Sequence, residues 1–434
     1  MRFSLSLSKL RINPGYLFTG LLLVSAPFSV SVFPVIIVYA LALAALLFTF
    51  PSYIYTPNVD KKLLQFFIFF LSPSIIGMIS LFPSIVINPH NLDYNQLSIY
   101  GRVFNLTFWL LAIVLIHYHV TKHGLSNLIY WLWWGGLIFI GFGIWHAASI
   151  YGLIGSFPFE TRSHLHSTGN VTIIAGERVT GVAREPSFFV PFVVDFMILT
   201  LLLVCSRIKK LALLLLSLLL IVASLSPSGF MILSGAFLGG FFVLGLRYIL
   251  SMKLSAQHMF YIGIFFSALA PFFYLLLNSS IWDYILHRFL TVGDSGRGFM
   301  VVMPFVWSWE SNVFNFLFGN GIKTFSIIGS QFSLPSGAPV HATSNNVFTD
   351  MFWEAGLIGF LLLVAFYFYC FFKILTSRFS SFQIFIAGSI LFDMFFSGLV
   401  RADFASLRVF IMFYLLFLLI HYDMKRPVSA LWGR

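Results

Sequence analysis

Apolar residues arrive in blocks near twenty long, separated by short polar breaks, along almost the whole chain. As a helix, a block of about twenty residues is roughly 30 Å long, the thickness of a bilayer's hydrocarbon core. The blocks are continuous rather than alternating, which excludes a transmembrane barrel. Only 9% of residues are charged and 59% are hydrophobic, whereas a soluble domain carries roughly 25% charged residues. The 434 residues therefore read as one integral membrane domain, all-α and polytopic.

Twelve spans are expected, near 14–30, 32–50, 62–82, 103–120, 126–153, 187–205, 211–226, 229–250, 258–277, 345–372, 383–400 and 404–421. Arg2, Lys9 and Arg11 ahead of an apolar run imitate a signal peptide. Ser25-Ala26-Pro27 makes a poor cleavage site, so the first block is read as a retained helix. Pro27 and Pro34 crowd the first connection, and a re-entrant hairpin is the alternative there.

Of 25 basic residues, 16 fall on one side if the N-terminus is cytoplasmic, and 9 fall outside or within spans. Every inner loop then holds Lys or Arg, as the positive-inside rule asks, with both termini inside. The net charge of +11 thus reads as a topology signal, not as a nucleic-acid surface. Lysines gather inside, Lys323 excepted. The outward basic residues are otherwise arginines: Arg102, Arg162, Arg178, Arg184, Arg288, Arg297, Arg401 and Arg408. Arginine's planar fork suits bidentate binding of phosphate or carboxylate. Two outward segments, 154–186 and 278–344, exceed a simple turn, and long loops on one face of a bundle are usually functional. Met303 to Trp309 and Val313 to Phe318 are expected as short helices along or dipping into the membrane surface.

Three outward segments carry chemistry. In Arg178 to Ser187, Pro186 suits the first turn of a helix, whose N-terminus turns free N–H groups toward Arg178 and Arg184. Such an end binds phosphate; an Arg184–Glu185 pair capping the helix is the plainer reading. Gly293-Asp294-Ser295-Gly296-Arg297-Gly298 surrounds an arginine with glycine, allowing close backbone approach; it lacks a P-loop ending. The third segment runs from His341 through Asn345 and Asn346 to Asp350 and Glu354. A helix beginning near Asn345 puts Asn346, Asp350 and Glu354 on one face. His341, Glu185, Asp350 and Glu354 are the general-base candidates, while Asn345, Asn346 and Ser187 are polar groups at helix mouths that also suit capping.

Within spans, Asp195, Asp393 and Arg408 are costly charges. Pairing of Asp393 with Arg401 or Arg408 between the last two helices is the preferred reading, with a proton or ion path as the alternative. Cys205 and Cys370 fit no metal spacing and no disulfide framework. No two acids are separated by a single residue, so the Asp-x-Asp metal clamp of nucleotide-sugar enzymes is missing, and neither metal nor cofactor is expected.

Taken together, Arg178-x-x-Gly181 with Arg184-Glu185-Pro186-Ser187, Ser226-x-Ser228-Gly229, Ser295-Gly296-Arg297, Leu317-Phe318-Gly319-Asn320-Gly321, and Asn346 ahead of Glu354-Ala355-Gly356-Leu357-Ile358-Gly359 resemble the O-antigen polymerase and ligase superfamily of bacterial inner membranes. The resemblance covers about residues 170–360. It implies a multi-pass inner-membrane protein with a C-type glycosyltransferase plan, acting on its periplasmic face without a metal. The implied donor is an undecaprenyl-pyrophosphate-linked glycan, held by Arg178, Arg184, Arg288 and Arg297. Membrane lipids, a chain-length regulator and a flippase are the implied partners. In the ligase branch a histidine directly precedes the residue matching Asn346. Here that place holds Asn345, with His341 four residues earlier, so the polymerase branch fits better. The alternatives are the ligase, which transfers glycan to lipid A core, and a flippase or transporter of the same lipid-linked unit.

Overall fold

The computed structural model describes residues 14–30, 36–55, 60–87, 97–161, 177–250, 297–328, 344–377, 379–401 and 403–422. Fourteen α-helices are formed there: α1 (Pro14–Ser25), α2 (Ile36–Tyr55), α3 (Lys61–Ile87), α4 (Leu97–His123), α5 (Leu125–Ile150), α6 (Pro186–Leu203), α7 (Arg207–Ala223), α8 (Pro227–Leu250), α9 (Arg297–Ser311), α10 (Val313–Phe318), α11 (Phe325–Ile328), α12 (Val347–Thr376), α13 (Ser381–Val400) and α14 (Leu407–His421). A 3-10 turn, Ala26–Val30, follows α1, and no strand forms among the described residues. Seven helices, α3, α4, α5, α6, α8, α12 and α13, are long and apolar enough to cross a membrane. The described residues thus form an all-helical bundle of membrane-embedded character. Helices α1, α2, α7 and α14 fall in the other expected spans, except 258–277, which lies outside the described residues.

Local chemistry explains where the helices begin. Pro186 occupies the first turn of α6, where a missing N–H costs nothing. Ser380 and Gln383 form a reciprocal capping box on α13: Ser380 Oγ accepts from the Gln383 N–H at 3.3 Å, and Gln383 Oε1 accepts from the Ser380 N–H at 3.1 Å. Ser406 caps α14 by accepting from the Val409 N–H. Asn346 caps α12, accepting from the N–H groups of Phe348 (2.9 Å) and Thr349 (3.1 Å).

Packing then follows side-chain size. Gly235, Gly239 and Gly240 let α8 lie directly on Phe396, Phe392 and Ser389 of α13, the small-residue interface expected where lipid offers helices no hydrophobic drive to associate. Helices α6 and α14 occupy the centre; every residue of α14 from Leu407 to Ile420 is buried. By contrast α2 exposes Ile36, Leu43, Leu47 and Phe48. A central helix has little outlet to solvent for a charge, which makes Asp195 on α6 and Arg408 on α14 conspicuous.

Contacts between helix ends sort the bundle into two ends. At one end, Arg247 donates to the Leu375 carbonyl, Tyr248 bonds Ser381, and Tyr422 donates to Asp60. Lys61, Lys62, Lys122, Lys209, Lys210 and Lys373 belong to helix termini at this lysine end. The opposite, arginine end gathers the start of α4, the mouths of α6 and α12, and the turn between α13 and α14.

At the arginine end α12 is broken. Gly356 takes φ 65° and ψ −168° inside the helix, a left-handed φ that L side chains rarely adopt. The break releases the carbonyls of Trp353 and Glu354, which accept from the N–H groups of Asn320 (2.8 Å) and Gly321 (3.0 Å). Ile322 N–H continues the dock onto the Gly77 carbonyl of α3 at 2.8 Å. Gly319 also has a positive φ, 87°, and a Cβ there would lie 2.4 Å from Ala355 N. Irregular backbone inside a span is tolerated only when buried in protein or lining a cavity. Here a Gly-Asn-Gly loop fills the break.

Candidate functional site

The loop that fills the break rests on aromatic contacts. Helices α9 and α10 form where the sequence predicts short helices, and they pack on α12 through Phe305–Phe352, Trp307–Trp353 and Phe316–Phe352. Trp353 Nε1 donates to Thr324 Oγ1 at 3.2 Å. The first half of α12 is therefore held on two sides, and its acids point into protein rather than lipid.

Those acids are Asp350 and Glu354, 5% and 3% exposed. Asp350 is well provided for: its Oδ1 accepts from both the N–H (2.9 Å) and the hydroxyl (2.5 Å) of Ser344. Glu354 is different. Its Oε2 has no hydrogen-bond partner among the described residues, and Arg102 Nη2 of α4 stands 3.9 Å away. The Lys323 backbone N–H is also directed at this carboxyl.

Arg102 links this pair to a cavity of about 280 Å³. Besides Arg102, the cavity is lined by Tyr39 of α2, Asn105 and Trp109 of α4, and Asp403 and Ser406 of the α13–α14 turn. Tyr39 stacks on Trp109 with ring centroids 5.1 Å apart, and its hydroxyl donates to Asn105 Oδ1 at 2.6 Å. Ligand sites are usually roughly 300–1,000 Å³, so this volume suits a small group rather than an oligosaccharide.

Behind Asp403 sits Arg401, 4% exposed, with its guanidinium 4.1 Å above the Phe188 ring at the mouth of α6. Arg401 Nη2 lies 3.1 Å from Asp403 Oδ2, but the two are out of line for a hydrogen bond. Consequently Nε, Nη1 and Nη2 of Arg401, Asp403 Oδ2 and Arg102 Nε are all buried with no hydrogen-bond partner among the described residues. Burial pushes the Arg401 pKa below the ordinary arginine value, and Asp403 opposes the shift. A desolvated guanidinium with unused donors is a strong anion receptor.

The structure brings some expected site residues into this region and leaves others apart. Asp350, Glu354 and Asn346 all lie at the α12 mouth, and Asn346 Nδ2 also donates to the Leu399 carbonyl of α13 (3.1 Å). Its role there is capping and cross-linking. Asn345 precedes it with φ 58°. Glu185 is the residue preceding α6 and accepts from Ser187 Oγ at 3.5 Å; Phe188, one residue on, carries Arg401 over its ring. Arg184 is exposed and Arg178 half-buried. Their segment is tied to α5 and α7, with Thr180 N–H donating to His146 Nδ1 (3.1 Å) and Val179 N–H to the Ala223 carbonyl (3.1 Å). Arg297 opens α9, but its side chain lies outside what is described, as do His341 and Arg288 altogether. Among the described residues, no group of three or more His, Cys, Asp or Glu side chains gathers as metal ligands would.

Arg102, Arg401 and Asp403 were not expected as site residues. The signal that could have found them is the outward bias toward arginine, since Arg102 and Arg401 belong to that set.

The described residues define a helical bundle of membrane-embedded character with a small, charge-lined cavity at one end. Compared with known proteins, the chain matches no family model, no curated protein and no solved structure.

Proposed function

We propose that this chain is a membrane glycosyltransferase that polymerises undecaprenyl-pyrophosphate-linked oligosaccharide units into O-antigen or a related surface polysaccharide, working at the arginine end of the bundle. One observation carries the reading. Arg102 and Asp403 line one small cavity, Glu354 and Arg401 stand beside them, and all four carry buried polar atoms with no hydrogen-bond partner among the described residues. Burying such atoms without partners costs about 1–3 kcal/mol each, more for charged groups. A pyrophosphate head group answers the arginines, and an acceptor hydroxyl answers a carboxylate.

In this account the donor's anomeric carbon loses its bond to the pyrophosphate oxygen, which departs with the electron pair on the lipid. Arg102 neutralises that developing charge, and Arg401, its charge already balanced by Asp403, offers unused N–H donors behind it. The acceptor hydroxyl of the next lipid-linked unit forms the new bond to the same carbon and gives its proton to Glu354, the carboxylate beside Arg102. Asp350, engaged by Ser344, orients the mouth of α12. Both substrates are anchored in one membrane, so docking them together supplies the orientation term. The arginine end then faces the periplasm of a bacterial inner membrane, and a flippase and a chain-length regulator are the natural partners. The polymerase reading is preferred to the ligase because Asn345, not histidine, directly precedes Asn346.

Purified protein supplied with lipid-linked repeat units is expected to give a ladder of products, shortened or lost in Arg102→Gln. Transfer of a single glycan to lipid A core with no ladder would favour the ligase. Movement of the intact unit across a vesicle membrane with no new glycosidic bond would favour the transporter.

A further inference from the structure

The charges at the centre of the bundle take no part in the account above. Asp195 of α6, Asp393 of α13 and Arg408 of α14 meet where their three helices cross, each 6% exposed or less. Arg408 Nε donates to Asp195 Oδ2 at 2.6 Å and Nη2 to Asp195 Oδ1 at 3.0 Å, a bidentate fork. The same Nη2 donates to Asp393 Oδ2 at 2.6 Å, while Nη1 donates to Ser397 Oγ at 3.3 Å. Ser397 Oγ in turn donates to Asp393 Oδ1 at 3.3 Å.

The geometry sets two carboxyls on one guanidinium: Asp195 Oδ1 and Asp393 Oδ2 converge on the same Arg408 Nη2. Two ionised carboxylates have no hydrogen to share, and like charges this close in a water-poor core do not both ionise. Fully ionised, the trio carries one excess negative charge, and the next charges along, Arg401 and Asp403, cancel each other. Among the described residues, the other titratable group facing the cluster is Tyr367 of α12, which donates to the Met394 carbonyl at 3.2 Å. A small cavity of about 30 Å³, lined in part by Asp195 and Arg408, has room for one water beside the cluster.

We infer that Asp195, Asp393 and Arg408 form a proton-binding site, in which one proton shared between the two carboxyls makes the central cluster neutral. The proton bridges Asp195 and Asp393, and Arg408 balances the charge that remains. The site lies on α6 and α13, the helices that reach the outer receptor through Phe188 and Arg401. It does not depend on the glycosyltransferase reading, and failure of either leaves the other standing.

The test is infrared spectroscopy of the purified protein at neutral pH, reading the carbonyl stretch of a protonated carboxyl. Wild type should show the band. Asp393→Asn and Asp195→Asn should each lose it, because Arg408 then faces a single carboxylate and no shared proton is needed. Absence of the band in wild type, or its persistence unchanged in both variants, would overturn the site. Should neither variant fold, carbon-13 labelling of aspartate in wild type reads the same band directly: a shifted band supports the shared proton, and an unshifted or absent one removes it.

Discussion

Two charged clusters share this bundle, each with buried polar atoms, and they treat their hydrogen-bonding atoms in opposite ways. Around Arg408, both oxygens of both aspartates and all three guanidinium nitrogens are engaged. Around the outer cavity, Arg102, Arg401, Asp403 and Glu354 leave atoms without partners among the described residues. Burial alone therefore does not tell a structural charge from a functional one. Satisfaction separates the two: the central cluster has closed on itself and clamps three helices, while the outer cluster has atoms left over, which the proposed function assigns to a ligand.

If that contrast holds, substitutions should separate stability from function. The largest expected effect is Arg408→Leu, which strands two carboxyls in the core. Removing one partner of a buried ion pair costs about 3–5 kcal/mol, so little folded protein should be recovered from membranes, as read by size-exclusion chromatography. Ready recovery of folded protein would dissolve the comparison from the structural side.

Glu354→Gln should do the reverse. The amide removes a buried charge that lacks a partner on Oε2, so the melting temperature should hold or rise, while turnover falls by about 10²–10⁴-fold, the usual worth of a general base. Arg401→Lys should cost roughly ten- to a hundred-fold in rate, the equivalent of one charge-assisted hydrogen bond of about 1.5–3 kcal/mol. Lysine keeps the charge but not the fork; full activity in this variant would mean that Arg401 serves only as a counter-charge to Asp403.

Gly356→Ala probes the scaffold of the outer cluster. A left-handed conformation costs an L residue about 1–2 kcal/mol, and the new methyl would meet the Leu317 carbonyl at 2.4 Å. A lower melting temperature and loosened protection of the 319–321 loop in hydrogen exchange are expected together. Asn346→Ala should be the mildest, about 1 kcal/mol for a lost N-cap, with activity largely kept once the protein is folded.

How far these features could be read beforehand depended on the distance between partners. The lengths of apolar runs located the helices, because crossing a bilayer is a local requirement. The pairing of Asp393 with a nearby arginine, Arg401 or Arg408, was legible for a related reason, since their helices are consecutive; the structure pairs it with Arg408 and sets Arg401 beside Asp403. Asp195, 213 residues from Arg408, was seen as a costly charge but not as the third member. In the same way Gly319 and Gly356 were noticed as parts of separate motifs, whereas their meaning lies in the dock of one upon the other. Arg102 and Glu354 stand on helices that are not neighbours in sequence, and the cavity joining Arg102 to Asp403 is a property of packing. No periodicity carries that information.

The central claim, that the outer charges await a polyprenyl pyrophosphate while the inner ones hold the fold, meets its most direct test in ligand-dependent melting of purified protein. At a ligand concentration a hundred times Kd, binding to the native state alone adds about 2.7 kcal/mol. Undecaprenyl pyrophosphate should therefore raise the melting temperature of wild type, and Arg102→Gln and Arg401→Gln should lose most of that rise while remaining folded without ligand. An equal rise in wild type and both variants, or none in wild type, would contradict the assignment of the outer cluster to this ligand.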